Sequence, residues 1–360
     1  MTRKLATVEI ITQINPIENA DNIVLASVRG WNIIVSKDRQ IGEKVIFHEI
    51  DSLCPDVEPY KTDLARLGLK KSLLDNGDII EGFYIKTMKL RGALSQGYTV
   101  PFIAYSLEQQ EYFNTLEVGA DVTESLNINK YESIKVVSMS GDAVGNFPTN
   151  LIPKTDQERC QNISQQIYDA YLSEITFQVS YKLDGSSLTA MQNNGDKYIC
   201  SRNLSLNLDK ESNFTRQGFR ILNRLEDTDF LKNYGFQAEM IGPGIQGNFE
   251  NIKDIDYYIY NVWDIDDQEY LNPQEAESLA DQLNLNYVPL YGDGGYLTLK
   301  GLLGAGLAQE DLVKRLLEVA EGDSAFNGNH REGLVFKSID LTNKLSFKVI
   351  SNRYLLKHKD

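Results

Sequence analysis

TFQVSYKLDGSSLTAM, from Thr176 to Met191, sets a single lysine, Lys182, between two strand-like runs. Thr176 to Tyr181 is rich in β-branched and aromatic residues, and Ser187 to Met191 continues in the same style. Lys182-Leu183-Asp184-Gly185 lies at the turn between them. A lysine there can attack an electrophile once its amine is neutral, and nearby cations or desolvation lower its pKa for that purpose. Gly185 allows close backbone approach. Alone, the Lys-x-Asp-Gly pattern recurs by chance in roughly one chain in ten of this length. On this pattern alone, an exposed hairpin lysine beside an Asp-Gly turn is the better reading.

Working outward, Lys197 to Cys200 is a third strand-like run. Upstream, Thr155-Asp156-Gln157-Glu158 has the form of a capping box. Ile163, Ile167 and Tyr171 follow at intervals of four, so the pattern predicts a helix starting at Thr155. Downstream, Asn272-Pro273 opens another helix, with Asn as cap and Pro in the first turn. Glu310 to Val319 is helical in pattern, and Leu334 to Phe336 and Leu345 to Val349 are strand-like. Residues 1 to about 115 differ in style. Short β-branched runs such as Ile23-Val24-Leu25, Trp31 to Val35 and Lys44 to Phe47 alternate with turns at Asn15-Pro16, Arg29-Gly30 and Ile41-Gly42. Such spacing suggests a small β-barrel, with a β-sandwich as the alternative. Asn114 to Tyr131 is polar and acidic and reads as a boundary, and Ser138 to Thr149 reads as a loop.

The 360 residues favour two domains. Hydrophobic residues at 42% and charged ones at 24% exclude global disorder and fit a globular chain with a sizeable core. No apolar run is long enough to span a bilayer, and the start lacks the apolar block of a signal peptide. The expected location is the cytoplasm. Cys54, Cys160 and Cys200 are far apart in sequence, which gives no support to a zinc or disulfide framework. The net charge is −15 and the pI near 4.8, so any polyanion would have to meet a local basic groove on an acidic body. Lys344, Lys348, Arg353, Lys357 and Lys359 make the last stretch the most basic. His48, His330 and His358 have no metal-site spacing.

Further motifs follow Lys182 in a fixed order: Ser201-Arg202-Asn203, Gln237 to Gly242 around Glu239, the aromatic segment Tyr258 to Ile265, Arg331 to Lys337 around Glu332, and Ser346 to Ile350 around Lys348. The set resembles the covalent nucleotidyltransferase superfamily of polynucleotide ligases and mRNA capping enzymes. Within it, Phe147-Pro148, Ile152 to Arg159 and Gly242 to Asn248 resemble the RNA ligase 2 and RNA ligase 5 groups. Asn19 to Ile23 and Met88 to Gly97 extend the likeness, less specifically, into the first part of the chain, and a leading OB-like module before the catalytic part looks like the RNA ligase 5 group.

The resemblance implies an α+β fold. An OB-like nucleic-acid-binding β-barrel (residues 1–125) would precede an adenylyltransferase domain (residues 126–360) of antiparallel sheets with flanking helices, an ATP-grasp-like ligase domain. It implies an ATP-dependent RNA ligase that joins 3′-hydroxyl and 5′-phosphate ends, at nicks in duplexes, through lysyl-AMP and AppRNA intermediates, and so RNA repair. Lys182 would be the nucleophile, Arg202 a contact to the ribose or the RNA end, and Glu239 and Glu332 the carboxylates for Mg²⁺ or Mn²⁺. Lys348 would face the α-phosphate. Asp184, Gly185 and Lys337 would complete the nucleotide site, and one aromatic ring would stack on the base. Tyr260 is favoured over Trp263, because simple alternation puts Tyr260, Val262 and Asp264 on one strand face. Arg159, Lys86, Lys89 and Arg91 are the expected RNA contacts, on a monomer that needs no membrane. The family's fifth motif often reads Lys-x-Lys. Here its first position is Ser346, with Lys344 or Lys337 as nearby sources of the second charge.

Two other readings use the same residues. A capping-type guanylyltransferase would carry a C-terminal OB domain, and this chain ends soon after the fifth motif. A non-catalytic RNA-binding OB protein with a degenerate second domain would not need Lys182, Glu239, Glu332 and Lys348 together.

Overall fold

The computed structural model describes residues 3–74, 78–133, 141–225, 228, 231–326 and 330–358. Lys359 and residues 138–140, singled out above, lie outside them. The chain divides into two compact units, Met1–Lys135 with Leu355–Asp360, and Val136–Tyr354.

In the first unit the long strand Ala6–Pro16 is shared along its length. Residues 6 to 10 pair with Lys44–His48, and residues 11 to 16 pair with Ile23–Val28. The register shifts between Ile11 and Gln13, and a bulge of this kind bends and coils a strand. With Tyr98–Pro101 and Trp31–Ser36 at the edges, the five strands form a curled half-barrel, the OB-like architecture expected. Trp31, Ile33, Val45 and Phe47 fill one side of it. A second, four-stranded sheet is built around Ile79–Tyr84. Leu126 and Ile128 belong to this unit's other core, beside Phe113 from the helix Leu107–Asn114. Ser106 and Gln109 close a capping box there that the sequence reading passed over.

The second unit holds two sheets. A seven-stranded one orders Ala143–Asn146, Leu204–Leu206, Asp196–Cys200, Ser186–Asn193, Tyr234–Ile241, Asp256–Asp264 and Glu269–Tyr270. A five-stranded one orders Glu158–Arg159, Ser346–Ile350, Gly333–Ser338, Thr176–Lys182 and Tyr296–Thr298. The amphipathic helix Asn213–Leu225 buries Ile221, Leu222 and Leu225 against the first sheet. Gln309–Ala320 buries Leu312, Val313 and Leu316 against the second. Pro273–Gln282 starts as expected, with Asn272 and Glu275 forming its capping box.

The helix expected from Thr155 starts at Ser164 instead. Glu158 and Arg159 pair in parallel with Phe347 and Lys348, and Thr155 and Gln157 spend their side chains on Tyr260 and Ser346. The capping pattern is overridden by these tertiary bonds, while Ile167 and Tyr171 keep their helical face. No helix of the described residues is long and apolar enough to cross a membrane.

Phe347 is fully buried, stacked on Phe336 at 4.8 Å and edge-on to Phe177 at 5.7 Å. Truncating it leaves a void beneath Lys348. Phe347→Ala is expected to lower stability by ~3–5 kcal/mol, measured as a loss in urea-unfolding free energy.

Candidate active site

Lys182 and Ser186 belong to different sheets. The strand Thr176–Lys182 pairs with Gly333–Ser338, and the strand Ser186–Asn193 pairs with Tyr234–Ile241. Leu183-Asp184-Gly185 is therefore a crossing between sheets, and the hairpin alternative is excluded. A Cβ on Gly185 would lie 2.3 Å from the Met240 carbonyl oxygen and 3.0 Å from Cγ of Glu239. Glycine is needed for this close approach, which brings Lys182 beside the strand of Glu239.

From its own sheet, Lys182 meets Glu332. The amine lies 2.7 Å from Oε1 and 2.8 Å from Oε2 of that carboxylate. Glu332 leads into the strand Gly333–Ser338, whose Gly333 pairs with Lys182. Arg331 fixes this entry. Buried at 6% exposure, it donates to the Val319 and Ala320 carbonyls at the C-terminal end of Gln309–Ala320 and lies 4.7 Å over the Tyr291 ring. Its neighbour was singled out from the sequence, but this role of Arg331 was not.

Burial by itself would lower the Lys182 pKa. The charges of Glu332 and Glu239, the Glu332 hydrogen bond and Asp184 together outweigh it, and the amine is held above its ordinary value. The resting lysine is a cation. Burial raises the Glu239 carboxyl to about 7; Lys182 opposes this, Glu332 and Asp184 add to it, and Arg202 opposes it. Glu332 is raised by burial too, against the pull of Lys182 and, further off, Lys348. Lys182, Asp184, Glu239, Glu332, Arg202 and Lys348 thus share one electrostatic field. Lys348 also approaches Asp156 at 3.5 Å. The opening alternative, in which cations lower the lysine pKa, does not describe this site.

Tyr260 reaches the site by a route that alternation does not predict. Gln237 pairs with Asn261 and Ala238 with Ile259, so Tyr260 is an extra residue in a bulge. Val262 consequently lies in the core, on the other side from Tyr260, and the expected grouping of Tyr260 with Val262 is corrected. The Tyr260 hydroxyl meets Thr155 Oγ1 at 3.0 Å and bonds Ser187. Trp263 is core, with Nε1 donating to the Leu151 carbonyl.

Lys337 lies against the same ring, 5.5 Å from its centroid, and donates to the Tyr260 carbonyl and to Asn261 Oδ1. Burial lowers its pKa to about 7. It stands directly across from Ser346, whose hydroxyl is bonded to Gln157, whereas Lys344 is turned to Glu269 at 2.8 Å. Arg159 is half-buried next to Lys348 in register. Lys86, Lys89 and Arg91 are exposed in the first unit, the last two on the hairpin Met88–Ser95, whose Arg91-Gly92 turn has both φ angles positive. Thr155, Asp156, Ser187 and Asn261 were missed as site residues, the first two because their pattern mimics a helix cap.

A model of the RNA ligase family matches residues 175–350, and an OB-fold domain model matches residues 5–102. Solved structures of the Naegleria gruberi RNA ligase are similar to the chain. A mutant of it with AMP and Mn is 34% identical, with a TM-score of 0.73 over 99% of this chain and 99% of that one. The same ligase with PPi is 35% identical, with a TM-score of 0.72 over 100% of each chain. A mutant with ATP and Mn is 34% identical, at a TM-score of 0.72 over 99% of this chain and 100% of that one. No curated protein matches the chain.

Two outcomes are expected. Between the ordinary carboxyl value of 4.5 and about 7, the folded state keeps the Glu239 proton that the unfolded state releases. The share of stability due to Glu239 is therefore complete below about 4.5 and is lost as pH rises through about 7. Urea titrations across this range should show a flatter pH dependence for Glu239→Gln than for the parent. Gly185→Ala should cost ~1–3 kcal/mol in the same assay, since the added methyl meets backbone.

Proposed function

The chain belongs to the RNA ligase family, and from that premise we propose that it uses ATP to join RNA 3′-hydroxyl and 5′-phosphate ends at nicks in duplexes, through lysyl-AMP and AppRNA intermediates. The observation that carries this reading is the Lys182 amine 2.7 Å from Glu332, within the field of Glu239 from the opposite sheet.

In the first step Nζ of Lys182 attacks the α-phosphorus, a P–N bond forms, and the P–O bond to pyrophosphate breaks. The amine must first give up a proton, and the field of Glu332 and Glu239 resists this. Compensating the charge of those two carboxylates lowers the lysine pKa toward the attacking form. Glu239 and Glu332 are oxygen donors of the kind that Mg²⁺ and Mn²⁺ prefer, and they act on one locus from two sheets. Among the described residues no three acidic, histidine or cysteine side chains converge as a metal-binding group, so substrate phosphates or water would supply the other donors. Bound there, the ion would stabilise negative charge on the phosphates. Lys348, Lys337 and Arg202 are the cations for the nucleotide. The Tyr260 ring supplies a plane for the base, with Asp184 and Gly185 shaping the turn beside it.

In the second step a 5′-phosphate oxygen of RNA takes the adenylyl group, and the P–N bond breaks as Lys182 recovers a proton. In the third the 3′-hydroxyl attacks that activated phosphate, losing its proton as AMP leaves. Arg159 would meet RNA or nucleotide phosphate. The OB-like first unit would hold the duplex, with Lys86, Lys89 and Arg91 on its phosphates. The Naegleria structures with AMP, ATP, PPi and Mn support the nucleotide and metal assignments. The free thiols of Cys54, Cys160 and Cys200 support a reducing compartment, the cytoplasm, where the chain would act as a monomer.

Incubation with α-labelled ATP and a divalent metal, followed by denaturing electrophoresis, tests the reading. The parent protein is expected to retain label and Lys182→Ala to retain none, with labelled GTP giving no signal. A nicked duplex with an RNA 3′-hydroxyl strand should be sealed at least ~10-fold faster than the same two RNA ends without a complementary strand. Absence of label on the parent across pH 6 to 9 would remove the proposal.

A further inference from the structure

Gln237 and Asn261 are polar side chains with no task in the chemistry above. They stand directly across from each other on the strands Tyr234–Ile241 and Asp256–Asp264, at the register shift that makes Tyr260 an extra residue. Gln237 is 1% exposed. Burying an amide is costly unless both of its ends find partners. Here the partners form a chain. Gln237 Nε2 donates to the Pro153 carbonyl at 2.9 Å, Asn261 Nδ2 donates to Gln237 Oε1 at 3.2 Å, and Lys337 Nζ donates to Asn261 Oδ1 at 2.6 Å.

The chain has one direction. A carbonyl oxygen only accepts and an ammonium only donates, so both ends are fixed in polarity. Turning either amide over would set two acceptors or two donors face to face. Asn261 must therefore present its oxygen to Lys337. That lysine comes from the other sheet, on the strand Gly333–Ser338. Its cross-strand neighbours there, Gln178 and Ser346, are engaged elsewhere: Gln178 donates to Glu277 and Tyr296, and Ser346 donates to Gln157. The amine is held from the facing sheet instead, by Asn261 Oδ1 and by the Tyr260 carbonyl.

We propose that Asn261 is a positioning residue for nucleotide capture: oriented by Gln237 and the Pro153 carbonyl, it fixes the Lys337 amine beside the Tyr260 ring. The proposal rests on the reading above, in which Lys337 and Tyr260 belong to the nucleotide site. The amine lies 5.5 Å from the centroid of that ring. Lysine is a flexible side chain with a compact charge, so an anchor decides where that charge is presented. Burial lowers the Lys337 pKa to about 7, and the two neutral oxygens favour its charged form without the full compensation that a carboxylate would give.

Label capture from α-labelled ATP, followed as a function of ATP concentration, separates this role from a merely structural one. Asn261→Leu keeps the volume and removes the oxygen. It is expected to raise the half-saturating ATP concentration by ~10-fold or more, with the maximal capture rate held within about threefold. Lys337→Met should raise it at least as far. The double variant should be no worse than Lys337→Met alone, to within about twofold, because Asn261 acts only through that amine. Asn261→Asp keeps an oxygen on the amine and adds charge. Affinity for ATP should fall in the parent as pH rises through about 7 and Lys337 loses its proton. In Asn261→Asp the carboxylate favours the cation, and this fall should move up by at least ~0.5 pH unit. If Asn261→Leu does not fold, that shift decides alone. An unchanged half-saturating concentration in Asn261→Leu, effects that multiply in the double variant, or an unmoved pH profile in Asn261→Asp would each overturn the proposal. Lys337→Met capturing label with parental affinity would overturn it through its premise. A parent protein that takes no label would instead strike at the adenylylation reading itself.

Discussion

The structure depends on one close contact, the passage of the chain between two sheets at Leu183-Asp184-Gly185. Without a side chain at 185 the backbone can lie against the Met240 carbonyl, and the strand ending in Lys182 hands over to the strand that pairs with Glu239. Lys182 from one sheet and Glu239 from the other are placed together by covalent connection, with no long loop to order. The second carboxylate, Glu332, leads into the strand paired with that of Lys182, where Gly333 likewise has no room for a Cβ, which would lie 2.1 Å from the Val349 carbonyl. Two glycines at two close approaches assemble three charged groups.

Those groups are held in tension. One amine sits among Glu332, Glu239 and Asp184 and stays protonated, while Glu239 is pushed toward neutrality. Such a cluster is stable when its charges are compensated and reactive when the compensation changes. Positive charge entering beside the two carboxylates would lower the lysine pKa. The flanking cations are placed to do different work. Lys348 acts on Glu332 and approaches Asp156, whereas Lys337 is buried against Tyr260 and Asn261 with a pKa lowered to about 7. Because Lys337 stands across from Ser346, the missing lysine of the fifth motif leaves a charge in the neighbouring strand position rather than none.

Acidity of the whole chain is compatible with this arrangement. A net charge of −15 governs the long-range field and solubility, but screening limits that field to about 8–10 Å at ordinary salt. Within a cleft, the local set of Lys, Arg and carboxylate side chains decides what can bind. The same reasoning makes the exposed Arg91 hairpin meaningful as a local feature of the first unit.

Much of this was legible in residue order. Lys182, Glu239, Glu332 and Lys348 could be named because they stand, in order, in motifs that resemble those of a known family. The capped helix at Pro273 and the barrel-like first unit were legible for a similar reason: caps, turns and alternation are local. The structure overruled local pattern where distant partners offered better bonds. Thr155 to Glu158 has the form of a helix cap but bonds to Tyr260 and Ser346 and pairs with Phe347. The facing of Tyr260 depends on a bulge that no period of two can show. The role of Arg331 rests on the carbonyls at the end of the preceding helix, which no side-chain pattern shows. Sequence alone determined which atoms are available to react, because that is written in side-chain chemistry. Tertiary structure decided which of them meet, because packing and cross-strand register are sums over contacts between segments that no local stretch contains.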